Sequence, residues 1–568
     1  VFKLKYIVLL FLIFSNCFLN AQSINNDLIK STLYNSLHSK ESAIVQNLYA
    51  NTGYSPLWIG EQNRQKTNEL LLALKDPLFN YKEKDLGEKE IKKLFFMIDN
   101  DKSTNKEQLL AKLDIALSNS FVKLVKFIYI GDVDWDMVKD KISSLKQSDG
   151  TSASWEIETK EFPDQNILAH AVIKGDIKNY LTSLIPLEDK YRTLISIYNK
   201  YRKLKPFDEI PYSYDDLKLG SNNPRVMMVK KRLQDLGDYP NHLMLDNYFD
   251  NNLKEAVINF QTRFNIEPSG VIDRVTNYYL NTTLSTYLKT IAVNLDKTKI
   301  YPKKLSDERI EINIPRYQVT YFNENRPQLV SKAVLGRTDR PTPIINDYID
   351  YMVLNPTWTI TDNLIKKDLI GALRENPNYL KEHNIRVYAG NEEIELEPNQ
   401  LDEYENSSAK VPYRFVQDPG AKNVLGKVKF AFPNNYDVFL HDTDNKELFE
   451  RRYRIYSSGC IRIQKPLELA KILTNTHTSG KYDESKMQEI LDSNKTTTIK
   501  FDNSIPINIL YFTVSKNRDN VYFDYDIYMY DQIIQESTEG NKKPYFEVPK
   551  QRMIKIEKKR EKDEEPTP

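Results

Sequence analysis

The sequence predicts a multidomain α+β protein, and three observations lead there. At 568 residues the chain is long enough for three or four domains. Up to about residue 285 the apolar residues recur at spacings of 3 and 4, the periodicity of helices. From about residue 308 they alternate, the periodicity of strands. Charged residues are 28% and hydrophobic ones 40%, which fits a globular protein and not a membrane one. A net charge of +1 supplies no global field for nucleic acid, so no nucleic-acid partner is expected.

The N-terminus has the layout of a secretory signal over 1–21. Lys3 and Lys5 form a basic start, an apolar run covers 6–14, and Ala21 precedes a plausible cut before Gln22. The run is well short of the roughly 20 apolar residues that span a bilayer. A lipid-carrying signal at Cys17 is the rival, but Phe14-Ser15-Asn16 lacks the small residues such a site needs. The expectation is an exported protein of the periplasm or cell envelope. Residues 22–205 read as a helical scaffold. Leu70, Leu71 and Leu74 share a helical face, as do Leu109, Leu110, Leu113 and Leu117, and Phe121, Leu124, Phe127 and Ile128 continue that stripe. Leu194, Ile195, Ile197 and Tyr198 head another. His38 and His170 are isolated, without a second ligand at metal spacing.

Residues 214–285 form a small three-helix unit. Asn223 caps a helix with Pro224 in its first turn, and Gly237 closes it behind Val226, Val229, Leu233 and Leu236. Asp250 caps a second helix carrying Leu253, Val257, Phe260 and Phe264. Gly270 and Asp273 lead into a third. The run VKKRLQDLG, then FDNNLKEAVINFQTRFNIEPSGVID, resembles the peptidoglycan-binding domain of the first type. That resemblance implies binding of glycan chains or stem peptides, although such modules also serve as purely structural units.

Strand texture begins with Ile310, Ile312 and Ile314, then Val319 and Tyr321, a turn at 323–325, and a return over 329–335. Residues 351–354 form another strand, and 428–432 with 436–440 a hairpin around Pro433-Asn434-Asn435. Residues 361–412 interrupt this pattern. Thr361 or Asp362 caps a helix there with Leu364, Leu369, Ile370 and Leu373, and the segment is expected to cap a site as an inserted helical lid. Beyond residue 460 come a helix starting at Pro466 and strands near 498–501 and 509–513. The mainly-β domain spans 305–540. Residues 541–568, charged and ending EKDEEPTP, are expected to be disordered.

The chemistry concentrates between His441 and Arg462, in HDTDNKELFERRYRIYSSGCIR. Cys460 is one of two cysteines, and the other, Cys17, lies in the leader, so an internal disulfide is not expected. A thiol becomes a nucleophile as thiolate, which requires a base or a cation nearby. His441 ends a strand, and Cys460 opens a loop-to-helix passage 19 residues later. Gly459 lets the backbone approach a substrate carbonyl, and the amides at Gly459 and Cys460 can form an oxyanion hole. Arg462 can stabilise the thiolate or clamp a carboxylate. Ser457 and Ser458 shape the turn or bind substrate, since no Gly-x-Ser-x-Gly elbow surrounds them. On an extended strand the side chain of Asp442 points away from that of His441, so a backbone carbonyl is the expected partner of the imidazole. No HExxH, paired CxxC or phosphate-binding loop occurs, and no metal or other cofactor is expected.

His441 followed by Ser457-Ser458-Gly459-Cys460-Ile461-Arg462 resembles the signature of the L,D-transpeptidases with a YkuD-type catalytic domain. LNPTWTI at 354–360, NPNYL at 376–380, QDPGAKNVLGKVKFAFPN at 417–434 and FLHDTD at 439–444 resemble its large multidomain branch. Two positions depart from that branch: Phe439 stands where tyrosine is frequent, and Asp444 where proline is usual. The resemblance implies acyl transfer on peptidoglycan stem peptides. Cys460 is then the nucleophile, His441 the general base and acid, and the Gly459 backbone part of the oxyanion hole. Substrate contacts are expected from Arg462, Ser457, Ser458, Phe439, Trp358 and Arg454. Peptidoglycan stems and glycan are the expected partners, wall-synthesis proteins are further candidates, and a monomer is expected. With water as acceptor the same site is a carboxypeptidase or amidase. A non-catalytic wall-binding scaffold with an inert Cys460 is the alternative from another class.

Overall fold

The computed structural model describes residues 26–40, 42–100, 106–145 and 153–539. The expected leader at 1–21 and charged tail at 541–568 lie outside the described residues. Two compact units emerge, and neither is contiguous in sequence. One comprises the described residues of 1–133, 158–207 and 283–304; the other comprises those of 134–157, 208–282 and 305–568.

The first unit is helical. The stripe foreseen from Leu109 to Ile128 is one helix, Lys106–Tyr129, whose leucines and phenylalanines are buried. Its Asp114 is fully buried, and its carboxylate accepts the N–H groups of Leu57, Trp58 and Ile59 at 2.8–2.9 Å. A buried carboxylate needs such donors, and here they pin the preceding loop to the helix. Helices Glu188–Tyr201 and Leu284–Thr298 pack together, with Tyr201 and Tyr287 rings 5.1 Å apart.

The second unit contains the three-helix module and the β domain. In the module, Asn223, Asp250 and Asp273 cap helices Pro224–Leu236, Asn251–Arg263 and Arg274–Leu280, as their spacing predicts. The module is held to the β domain by specific contacts. Arg263 pairs with Asp238 and donates to the Val521 carbonyl, Phe264 stacks on Phe523 at 5.6 Å, and Arg452 donates to the Asn265 carbonyl at 2.8 Å.

The β domain is a sheet that closes on itself. Strands β1 (Arg309–Asn313), β2 (Gln318–Asn323) and β3 (Arg326–Gly336) form an antiparallel run, and β4 (Asn346–Leu354) follows. The inserted segment adds β5 (Trp358–Thr359), β6 (Ile385–Ala389), β7 (Glu392–Ile394) and β8 (Tyr413–Gln417). Then come β9 (Val428–Ala431), β10 (Leu440–His441), β11 (Ile455–Ser457), β12 (Ile461–Ile463) and β13 (Thr497–Leu510), and a final hairpin of β14 (Val514–Asn517) and β15 (Asn520–Phe523). Pairings run β3-β12-β10-β9-β4-β13-β1-β2 and return to β3, with β11 alongside the far end of β3. Ile312, Met352, Phe430, Leu440, Ile461 and Ile507 fill the interior.

Two strand expectations change. The strand foreseen over 436–440 shrinks to β10, because the Asn434 amide organises 432–438 as a wide turn. Its Oδ1 accepts from Tyr436 and Val438 N–H, and its Nδ2 donates to the Phe432 and Val438 carbonyls. The strands foreseen near 498–501 and 509–513 are instead one long β13 ending at Leu510, with a register shift between Lys500 and Ile505. The cap carries short helices as expected, including Ile370–Glu375, and in addition a four-stranded sheet ordered β5-β8-β6-β7. Its own core is Ile365, Leu369, Ile370, Leu373, Val387 and Phe415.

Candidate active site

Strand alternation assembles the candidate groups. β10 pairs in parallel with β12, with Leu440 beside Ile461 and His441 beside Arg462. On its other side β10 meets β9, placing His441 beside Lys429. Leu440, Ile461 and Phe430 are buried in the barrel, so their neighbours along each strand face the other way. The Ile461 N–H to Phe439 carbonyl bond, 3.0 Å, extends the ladder back by one residue. Phe439, His441, Lys429, Cys460 and Arg462 therefore occupy one face.

The turn before β12 is built from both its own residues and remote ones. Ser457 Oγ donates to the Cys460 carbonyl at 2.6 Å and accepts the Gly459 N–H at 3.2 Å. Thr342 Oγ1 donates to the Gly459 carbonyl at 2.8 Å and accepts the Gly336 N–H. Tyr528 Oη donates to the Gly336 carbonyl and accepts the Thr342 N–H. Gly459 has φ +112°, a region that any side chain would strain. Ser458 Oγ accepts from Arg340 Nη1 at 3.0 Å, and Arg340 in turn forks onto Asp368 of the cap at 2.6 and 3.2 Å. Arg340 thus joins the cap to the Ser-Ser-Gly-Cys turn.

Electrostatics on this face are cationic. Burial, with Arg462 next, holds the His441 imidazole down to about 3, while the Asp442 main chain pulls the other way. The imidazole is therefore neutral at neutral pH. Burial pushes the Cys460 thiol up; the Phe439 N–H, Arg462 and Lys429 draw it back down. The thiol itself points to the Asp437 carbonyl, 3.8 Å away. Lys429 Nζ lies 3.7 Å from the centre of the Phe439 ring, which stands edge-on to His441 at 5.8 Å. Arg462 Nε is buried with no hydrogen-bond partner among the described residues. Asp444 and Cys460 are the groups that stabilise its charge against burial. Tyr379 of the cap also reaches this region: burial, then Asp444 and Asp368, push its hydroxyl up.

Several expectations are refined. Asp442 does point away from the imidazole: its carboxylate accepts the Lys427 N–H at 2.8 Å and pairs with Lys446. It occupies the space beside Gly426 where a Cβ would sit 2.4 Å from its Cγ. The main-chain group that meets the imidazole is that of Asp442, which favours its charged form, although Nδ1 makes no hydrogen bond of full geometry among the described residues. The Gly459 N–H already donates to Ser457 Oγ, while the Cys460 N–H makes no hydrogen bond among the described residues. Arg454 donates to the carbonyls of Ala333, Arg451 and Tyr317. Trp358 packs against the cap's core. Lys429, Arg340 and Thr342 were not foreseen. Lys429 alone had a local signal, as the outward-facing residue of a strand paired to the histidine strand; Arg340 and Thr342 lie more than a hundred residues from the Ser458 and Gly459 they contact.

Among the described residues no group of three or more His, Cys, Asp or Glu stands ready for a metal ion, and no helix is long and apolar enough to cross a membrane. The β domain closes on itself, presents a thiol and an imidazole on one face, and carries a three-helix module in the same compact unit. Comparison with known proteins agrees. Residues 307–498 match the family model of the L,D-transpeptidase catalytic domain, 43–196 that of a scaffold domain, and 222–280 that described as "Putative peptidoglycan binding domain". Residues 307–498 thus match an L,D-transpeptidase catalytic domain, in a chain that also matches a scaffold domain and a peptidoglycan-binding domain. A Haemophilus influenzae protein named "Putative L,D-transpeptidase" is 32% identical over 250 residues, covering 44% of this chain and 50% of that protein. The chain thus spans about half the length of that relative. Solved L,D-transpeptidase structures from Xylanimonas cellulosilytica (13% identity, 53% of this chain, 100% of that one, TM-score 0.18) and Stackebrandtia nassauensis (10%, 53%, 97%, 0.20) also align. At such scores nothing further rests on them.

Proposed function

We propose that the chain is a peptidoglycan L,D-transpeptidase that makes 3→3 cross-links. The observation that carries this reading is the shared face of Cys460 and His441 on neighbouring parallel segments, flanked by Lys429 and Arg462. His441 is neutral and can accept the thiol proton as Cys460 Sγ attacks the carbonyl between a stem's diamino acid and its terminal D-alanine. The oxyanion meets the Cys460 N–H. The intermediate collapses to a thioester, and D-alanine leaves with the proton from His441. A side-chain amine of a second stem then attacks the thioester, His441 takes its proton, and the thiol is restored. One amide is broken and one formed, so no oxidant or cofactor is required. Arg462 and Lys429 receive the substrate's carboxylate, and the 222–280 module holds the wall. The 1–21 leader directs the protein to the periplasm or envelope, where it works as a monomer.

The test is intact mass of the purified protein after incubation with a tetrapeptide-stem muropeptide or a carbapenem, beside Cys460→Ala. The expected result is an adduct on the wild type alone and dimeric stems among the products. Shortened stems without dimers would make the enzyme a carboxypeptidase. Absence of any adduct on folded, reduced protein would overturn the reading in favour of a wall-binding scaffold.

A further inference from the structure

Thr342 belongs to a closed ring of hydrogen bonds that adjoins the Ser-Ser-Gly-Cys turn. Its N–H donates to Tyr528 Oη at 3.1 Å, Tyr528 Oη donates to the Gly336 carbonyl at 2.7 Å, and the Gly336 N–H donates to Thr342 Oγ1 at 2.9 Å. The main chain at Tyr528 is fixed as well: its N–H donates to Tyr511 Oη at 2.9 Å, and Tyr511 donates to Asp526 at 2.6 Å. The ring has little room to adjust. Thr342 and Tyr528 are buried, and a Cβ on Gly336 would lie 2.3 Å from the Arg340 carbonyl oxygen and 2.5 Å from the Thr342 nitrogen. A hydroxyl both accepts and donates. Thr342 Oγ1 accepts inside the ring, so its own proton is left over, and it goes to the Gly459 carbonyl at 2.8 Å.

That carbonyl shares one planar trans peptide unit with the Cys460 N–H, so the two point in opposite directions. Holding the carbonyl on a buried threonine therefore turns the N–H away from the interior. The other main-chain groups that flank Cys460 are engaged. Its carbonyl accepts from Ser457 Oγ at 2.6 Å, and the Ile461 N–H donates to the Phe439 carbonyl at 3.0 Å. Two peptide units meet at Cys460, and three of their four polar ends are held. The fourth, the Cys460 N–H, makes no hydrogen bond among the described residues. A donor fixed in direction before the reaction, with no bond to give up, is what a developing oxyanion requires.

We propose that Thr342 is a positioning residue for the oxyanion: its hydroxyl, supported by Tyr528, orients the Gly459–Cys460 peptide so that the Cys460 N–H meets the substrate's carbonyl oxygen as the tetrahedral intermediate forms. The proposal rests on the acyl-transfer reading of Cys460. Thr342 acts through the peptide and makes no hydrogen bond to the thiol, which points to the Asp437 carbonyl. Its loss therefore falls on reactions of Cys460 that build an oxyanion and spares those that do not.

Two reactions of the same thiol make the comparison, on the full chain. In acylation by a carbapenem, Sγ adds to the lactam carbonyl, an oxyanion forms, and the C–N bond then breaks with a proton passing to nitrogen. In alkylation by iodoacetamide, Sγ displaces iodide at a saturated carbon and no oxyanion forms. Thr342→Val matches the side chain's shape without the hydroxyl, and Thr342→Ser keeps the hydroxyl. Thr342→Val is expected to lower the maximal rate of acylation about tenfold to hundredfold, while the carbapenem concentration giving half that rate and the alkylation rate each stay within about twofold. Thr342→Ser is expected to recover acylation to within about threefold of wild type, and Tyr528→Phe to lower it about threefold to tenfold. Undiminished acylation of Thr342→Val beside a reactive wild type overturns the proposal alone. So does alkylation that falls in parallel with acylation, which would make Thr342 a support of the whole turn. If Thr342→Val does not fold, Tyr528→Phe is judged by the same two rates. A wild type that takes no acyl group overturns the transpeptidase reading and this proposal with it.

Discussion

Cys460 sits between opposed influences, burial raising its pKa and a main-chain N–H and two cations lowering it. Lys429→Gln removes one of those cations, so alkylation of Cys460 by iodoacetamide near pH 8 should slow about threefold to tenfold. An unchanged rate would show that Lys429 does not act on the thiol. The imidazole has a clearer sign. His441 is lowered from 6.5 to about 3, so the folded site keeps it neutral at every pH above that. The acylation kcat/KM should then show no acid limb near 6.5; a limb there would mean that an imidazolium forms in the free site. The same shift makes the folded state bind fewer protons than the unfolded chain between those two values. Stability at this position is therefore fully present above 6.5 and is lost as pH falls toward 3, and His441→Gln should flatten that dependence in pH-resolved unfolding.

At the scale of elements, Arg340 ties the cap to the Ser-Ser-Gly-Cys turn. Arg340 is buried, its partner Asp368 half-exposed, and Ser458 Oγ accepts another of its N–H groups. Asp368→Asn leaves that guanidinium with a neutral partner and loosens the tie. We expect KM for a stem substrate to rise about fivefold to tenfold, while alkylation of Cys460 by a small reagent stays unchanged, because the turn keeps its Ser457 and Thr342 bonds. A fall in alkylation as well would mean that Arg340 supports the turn directly. The cap's helical residues were legible from Leu369, Ile370 and Leu373. Its β-sheet was not: β5 has two residues and β7 three, too few for period two to register.

At the scale of the molecule, the β domain depends on a stretch far upstream. Helix Trp135–Ser143 packs on helix Tyr530–Glu539, and Trp155 bridges to Ile344 while its ring lies 5.7 Å from Tyr530 and 6.2 Å from Tyr511. Trp155 is 3% exposed. Trp155→Ala should cost the second unit about 3–5 kcal/mol, read as a lowered midpoint by near-ultraviolet circular dichroism. A fragment of 305–540 alone, which lacks Trp155, should melt below one that retains 134–157. Equal midpoints would show the upstream stretch to be dispensable.

The sequence by itself determined which groups are able to carry chemistry and where they stand along the chain. A thiol, an imidazole and a guanidinium are fixed by residue type, whereas the face they share follows from the parallel pairing of β10 with β12. The helix caps at Asn223, Asp250 and Asp273 were legible because a cap bonds an N–H only two or three residues on. The tertiary structure alone decided what meets those groups from elsewhere. Thr342 on the Gly459 carbonyl, Arg340 between Ser458 and Asp368, and Trp155 against Tyr530 join residues whose distance along the chain hides their distance in space. Such contacts follow from how the closed sheet brings strand ends together, and no local pattern encodes them.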